Sequence, residues 1–396
     1  MTPDNFNSAT VCVHAGEAQM RDSGSPLATP IVQTSVFTTD VSTLKRLAAG
    51  ESSAYMYTRY ANPTTRAAEE KIAALESTPE LRGIDCLVTA SGQAATLCAI
   101  LGTCRAGDKI VAMQDLYGGT LKLFSEVCER FAISIQLVPF SDLAHFDRYL
   151  SANTKLVVLE SPTNPTLRCP DLRALTDAAH RAGALVLVDN TFATPVLQQP
   201  LSLGADMVMH SATKYLGGHS DLTAGALCGS KSLIDSCRRM NLLMGATLDP
   251  HASYLLVRGM KTLDLRMERA SANARGLAQA LSAHSGVARV YYPEISPRSG
   301  HAPALNQMKS GGAMLSLELS GGGSAAERFI ERLKLWVLAT SLGGVESTVS
   351  YPVLSSHVGL DSMWPALGIT PGLVRLSVGI ESHDDLLADL EQALAS

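Results

Sequence analysis

The chain has 396 residues, of which 46% are hydrophobic and 17% charged, with a formal charge of −5. That length exceeds one ordinary core and points to two domains of packed globular structure. The sequence has no basic block to bind nucleic acid, no apolar run near the roughly eighteen residues of a membrane span, and no basic-then-apolar leader at Met1–Phe6, so a cytoplasmic protein is expected.

Residues 1–62 carry prolines and polar runs and read as an arm without a core of its own. Within it Tyr57 and Arg59 alternate in an extended segment before Pro63. Either the segment is a surface arm with aromatic anchors, or it delivers both side chains to an anion, in this subunit or another. Thr64–Glu76 reads as a helix. Cys86–Thr89 is a short strand, and Ser91-Gly92-Gln93 then turns into a second helix. Free N–H groups, a helix dipole and a glycine suit a phosphate there, although many strand–helix turns contain Ser-Gly. Neither a dinucleotide fingerprint nor a Walker loop is present.

Lys109–Met113 is a strand that leads to Tyr117 on a glycine turn, where a stacking platform and an ordinary turn tyrosine are equally open. Leu156–Glu160 is a strand followed by Ser161–Pro165, which contains Asn164. A helix over 171–182 and a strong strand, Ala184–Asn190, complete a βαβ unit, with Asp189 at the strand end. Met207–Met209 is a short buried strand, and Ser211-Ala212-Thr213-Lys214 follows it. A lysine in a polar turn is ordinarily exposed. At the carboxyl edge of a sheet, however, partial burial would lower its pKa and make it a nucleophile. The alternation predicts an α/β fold with a mostly parallel sheet and helices on both faces, plus a smaller α+β C-terminal domain. Beyond residue 250, helices are expected over 252–275 and 325–333, with strands near 287–292 and 313–319. Arg375 lies on a late strand, either exposed or as a fork for a carboxylate. Eight scattered cysteines without a CxxC read as buried free thiols, and no metal site is expected.

The strand-end residues together supply a helix N-terminus, hydroxyls, an aromatic face, an acid and an amine, which is the set that pyridoxal 5′-phosphate requires. Val13-His14-Ala15-Gly16, Tyr57-Thr58-Arg59, Tyr117-Gly118-Gly119-Thr120, Ser211-Ala212-Thr213-Lys214-Tyr215, Ser341-Leu342-Gly343-Gly344 and Arg375-Leu376-Ser377 carry a closer likeness. The chain resembles, over nearly its whole length, the trans-sulfuration (Cys/Met metabolism) family of fold-type-I pyridoxal-phosphate enzymes. The family includes cystathionine γ-synthase and γ-lyase.

The resemblance implies a division into an N-terminal arm (1–62) lying on a neighbouring subunit, a large cofactor domain (63–255) and a C-terminal domain (256–396). Lys214 would attach the cofactor and later shuttle protons. Asp189 would pair with the ring nitrogen, Asn164 would lie near the ring hydroxyl and Tyr117 would stack on the ring. Ser91, Gly92, Gln93, Ser211 and Thr213 would hold the phosphate, joined by Tyr57 and Arg59 of another subunit. Arg375 and Ser341 would bind a substrate carboxylate, and Glu346 and Lys122 the distal end of the substrate. A homo-oligomer, a dimer of dimers, is implied. The expected reaction is γ-elimination or γ-replacement on a γ-substituted L-amino acid of the cystathionine or O-acylhomoserine type. O-acetylhomoserine sulfhydrylase and methionine γ-lyase are the alternatives. Gly119 stands where methionine γ-lyases usually have cysteine, and Thr348, Ser355, Ser356 and His357 also depart from the family pattern. A catalytically silent binding protein is the reading of another class; the intact Lys214, Asp189 and Arg375 oppose it.

Overall fold

Runs of apolar residues bounded by polar turns become two sheets in the computed structural model, which describes residues 6–17, 23–50, 54–295 and 304–395. Met1–Asn5, on which the reading of the leader rests, lie outside the described residues, as do 18–22 and 51–53 of the expected arm. The first sheet contains β1 (Ile84–Thr89), β2 (Lys109–Met113), β3 (Ser134–Val138), β4 (Thr154–Glu160), β5 (Leu185–Asp189), β6 (Met207–His210) and β7 (Gly225–Ser230). Its order is β1-β7-β6-β5-β4-β2-β3. The pairs from β6 through β3 are parallel, and β7 runs antiparallel to both of its neighbours. Leu87 enters one apolar cluster while Cys86 and Val88 enter another, so both faces of the sheet are covered. That matches the mostly parallel sheet expected from the alternating pattern.

The second sheet holds β8 (Val287–Tyr291), β9 (Met314–Leu319), β10 (Val337–Leu338), β11 (Thr348–Ser350) and β12 (Leu373–Ser377), in the order β10-β11-β12-β9-β8. Val374 and Leu376 of β12 pack into its core with Leu386 and Leu390 of the helix His383–Leu394.

One expected helix divides in two. Where the pattern over 252–275 reads as continuous, the structure has Pro250–Met260 and Leu263–Leu281. Packing causes the break. A Cβ on Gly259 would lie 2.1 Å from the Gly217 carbonyl oxygen, so this helix is seated directly on the turn after Lys214. Arg266 fixes the junction by donating to the carbonyls of Tyr215 (2.8 Å) and Gly259 (2.9 Å) and to Thr262 Oγ1 (3.1 Å).

The arm is only partly free of the body. Helix Ser8–His14 buries Val11 and Cys12, and the wholly buried Lys71 donates to the Cys12 carbonyl at 2.7 Å. Helix Val41–Ala48 buries nothing; Val41 within it and Leu27 and Val36 earlier on the arm are exposed. All eight cysteines are buried free thiols, as expected from their scatter.

Candidate active site

The carboxyl ends of β4, β5 and β6 open onto a cavity of about 350 Å³, closed from the other side by residues of the second sheet. Ser91, Gly92, Gln93, Tyr117, Asn164, Asp189, Ser211, Thr213, Lys214, Ser341 and Arg375 all line it. Lys214, in the turn after β6 of the first sheet, and Arg375, on β12 of the second, therefore line one cavity. Four other candidates do not line the cavity of this chain. Lys122 is exposed on the helix Gly118–Leu123, and Glu346 is exposed and accepts from Ser220 Oγ at 3.4 Å. Tyr57 is exposed, and Arg59 donates to the Leu242 carbonyl at 3.0 Å with its guanidinium over the Tyr57 and Tyr60 rings.

Lys214 follows β6 in a tight turn, with its N–H on the Ser211 carbonyl, and its amine donates to the Ser341 hydroxyl. Burial first, and the charge of Arg375 second, bring that amine down to about pKa 8. Asp189 ends β5. Its Oδ1 accepts from the Thr191 N–H (3.0 Å) and hydroxyl (2.5 Å), and no donor among the described residues reaches Oδ2. Burial raises its pKa, and the Thr191 bonds oppose that shift.

Arg375 is 3% exposed. Its Nη1 donates to Asn164 Oδ1 at 2.8 Å and its Nη2 to the Ser341 carbonyl at 3.0 Å, while Nε has no partner. No carboxylate pairs with it among the described residues. Burial pulls its pKa down to about 10. A buried cation held by neutral groups is ready for an anion from outside.

Ser91 caps helix Gly92–Thr103 by accepting from the Ala94 N–H at 3.2 Å, and Ser91, Gly92 and Gln93 bring that helix end, whose first N–H groups lack intrahelical acceptors, to the cavity. A Cβ on Gly92 would lie 3.0 Å from Ser211 Cβ, so the glycine is what lets the helix end and the lysine turn close on one another. Gln93 Oε1 is buried without a partner. Thr213 is more committed than its alternation with Ser211 suggests. Its hydroxyl donates to the Ala224 carbonyl (3.1 Å) and accepts from the Ala224 N–H (2.9 Å), which pins the lysine turn to the strand opening β7.

Gly119 leaves room for its neighbours: a Cβ there would lie 2.4 Å from Tyr117 Cε1 and 2.7 Å from Gln93 Nε2. Ser355 and Ser356 line the cavity, but His357 lies fully buried behind them, with Nδ1 against Ser356 Oγ at 2.9 Å. Burial brings that imidazole down to about pKa 4, so it is neutral at physiological pH.

Sequence reading missed Glu160, whose carboxylate lies inside the site. It could have been found, because β4 ends in an acid just as β5 ends in Asp189.

These residues fit pyridoxal phosphate. The open Asp189 oxygen suits a protonated ring nitrogen. The helix end beside Gly92 suits a phosphate. The Lys214 amine suits an aldehyde. The likeness to known proteins points the same way. The family described as "Cys/Met metabolism PLP-dependent enzyme" matches residues 9–395. The chain is 42% identical to an L-methionine gamma-lyase of Fusobacterium nucleatum subsp. polymorphum over 100% of this chain and 99% of that one. It is 42% identical to a cystathionine beta-lyase of Lactococcus lactis subsp. cremoris over 97% and 98%. Among solved structures, a cystathionine gamma synthase of Xanthomonas oryzae pv. oryzae superposes with a TM-score of 0.89 at 38% identity, covering 99% and 98% of the two chains.

Proposed function

The chain belongs to the Cys/Met metabolism family of pyridoxal-phosphate-dependent enzymes, and from that premise we propose that it catalyses γ-elimination or γ-replacement on a γ-substituted L-amino acid of the cystathionine or O-acylhomoserine type. One observation carries the reading: a partly buried amine and a buried guanidinium without an acid partner converge on one cavity. Together they can take a proton from an amino acid while holding its carboxylate.

When bound, pyridoxal phosphate supplies the electron sink that makes an α-proton acidic. The chain's own residues do the rest. Arg375 receives the α-carboxylate in its fork, and Asn164 and the Ser341 carbonyl keep the fork in plane. Lys214 Nζ, held by the Ser341 hydroxyl, takes the α-proton and returns it, and its lowered pKa keeps a neutral fraction near physiological pH. Tyr117, whose ring lines the cavity, exchanges its hydroxyl proton with the leaving group or the incoming nucleophile. Asp189 keeps a proton on the ring nitrogen, and Ser91, Gly92, Gln93, Ser211 and Thr213 form the phosphate end. Replacing Asp189 by asparagine removes the charge and keeps the shape. Turnover should fall about 10²-fold with the cofactor still bound, measured by steady-state kinetics and by absorbance of the bound cofactor. Near-wild-type turnover would make the acid structural.

Tyr57 and Arg59 act on the phosphate of a neighbouring subunit in this reading. Support comes from their exposure, from the bare helix Val41–Ala48 and from the exposed Leu27 and Val36 on the same arm. Mixing inactive Lys214→Ala subunits with inactive Arg59→Ala subunits tests this. If sites are shared, some mixed dimers hold one intact site and activity returns. If activity stays absent after verified subunit exchange, Arg59 serves its own chain. The free buried thiols favour a reducing cytoplasm.

The reaction itself is tested with cystathionine, O-acetylhomoserine, O-succinylhomoserine, homocysteine and methionine, scored for 2-oxo acid and thioether products. Turnover of none of them would overturn the proposal.

A further inference from the structure

Glu160 is 5% exposed and sits at the end of β4, in register with Asp189 on β5. Glu160 is buried and Asp189 half-buried; two carboxylates side by side repel each other, and Glu160 has no cation in contact among the described residues. Burial first and the Asp189 charge second push its pKa well above the usual carboxylate range. An acid at such a place costs stability unless its two oxygens are needed.

They are both used. Oε2 accepts the Tyr117 N–H at 2.8 Å, and Oε1 accepts the Asn164 N–H at 3.0 Å. Tyr117 precedes the helix Gly118–Leu123 as its N-cap; its carbonyl accepts from the Thr120 and Leu121 N–H groups, and the Glu160 bond holds its N–H from the other side. Asn164 in turn accepts from Arg375, Arg375 donates to the Ser341 carbonyl, and the Ser341 hydroxyl meets the Lys214 amine. One glutamate therefore joins the tyrosine backbone to a series of hydrogen bonds that runs, through the frames of Asn164, Arg375 and Ser341, to the catalytic amine.

We infer that Glu160 is a positioning residue. It fixes the Tyr117 ring and the Asn164–Arg375 carboxylate fork in one frame, so that proton exchange at the leaving group and carboxylate binding stay in register. The inference rests on the reaction proposed above. It assigns no chemistry to Glu160 itself, because both oxygens face backbone N–H groups.

Glu160→Gln tests it. The amide keeps the size but offers one acceptor, and its NH₂ group opposes the second N–H. With purified holoenzyme, the expected result is a KM at least tenfold higher, from the loosened fork, and a kcat at least tenfold lower, from the displaced tyrosine. Two readouts do not depend on turnover. L-norleucine, an amino acid without a leaving group, should bind at least tenfold more weakly when followed by the change it causes in cofactor absorbance. The visible circular dichroism of the bound cofactor should also change, while cofactor affinity stays within threefold of wild type. Glu160→Asp reaches only one of the two N–H groups and should fall between glutamine and wild type.

A glutamine variant with wild-type norleucine binding and an unchanged dichroic band would overturn the inference. So would parallel loss of cofactor affinity and melting temperature, which would mark Glu160 as a fold residue. Failure of the wild-type holoenzyme to bind any amino acid would instead overturn the proposed reaction.

Discussion

Replacing Lys214 by alanine should lower turnover at least ~10³-fold, because the amine proposed to take the α-proton is lost. The fold should survive and, without cofactor, should gain stability at neutral pH. The sign follows from linkage. In the unfolded chain the amine titrates near about 10.4, and in the native protein near about 8. Between those values the unfolded chain binds more protons, so native stability rises with pH, and burying the charge costs most below pH 8. The melting temperature of cofactor-free Lys214→Ala should therefore exceed that of wild type at pH 7, and the gap should close above about pH 10.4. Turnover within tenfold of wild type would remove Lys214 from the reaction. A lower melting temperature at pH 7 would mean that the amine's bond to Ser341 outweighs its burial.

Arg375→Met should separate binding from stability still more sharply. The guanidinium is buried, makes two bonds to neutral oxygens and has no acid beside it. Replacing such a cation with an apolar side chain of similar length is often neutral or stabilising. The melting temperature should hold or rise. Substrate carboxylate binding should lose about 1.5–3 kcal/mol per lost charged hydrogen bond, seen as kcat/KM down at least about a hundredfold with cofactor affinity preserved. If the cofactor is lost together with activity, Arg375 belongs to the cofactor frame and not to the substrate's.

Much of this site is legible from short stretches of sequence because strand ends place their residues by local rules. Asp189 and Lys214 each follow an apolar run, and the sheet brings such ends together. What was hidden came from contacts distant in the chain. The strand Gly225–Ser230 is built mostly of small residues with little strand preference, and it is paired on both sides. The break at Lys261–Thr262 depends on Arg266 reaching the turn after Lys214, which helical periodicity cannot register. Arg375 could be read as exposed or buried from its strand alone, and its burial is settled by packing against Asn164 and Ser341. Lys122 and Glu346 carry suitable charges, yet both are exposed and neither lines the cavity of this chain.

Asn164 and Arg375 meet across 211 residues of chain. During synthesis from the N-terminus, the acid, the amine and the helix end that suits phosphate all emerge well before the guanidinium proposed to hold the substrate carboxylate. Arg375 also contributes to the lowered pKa of the Lys214 amine, so the carboxylate fork and the full tuning of the amine are completed together, by the last strand of the second sheet.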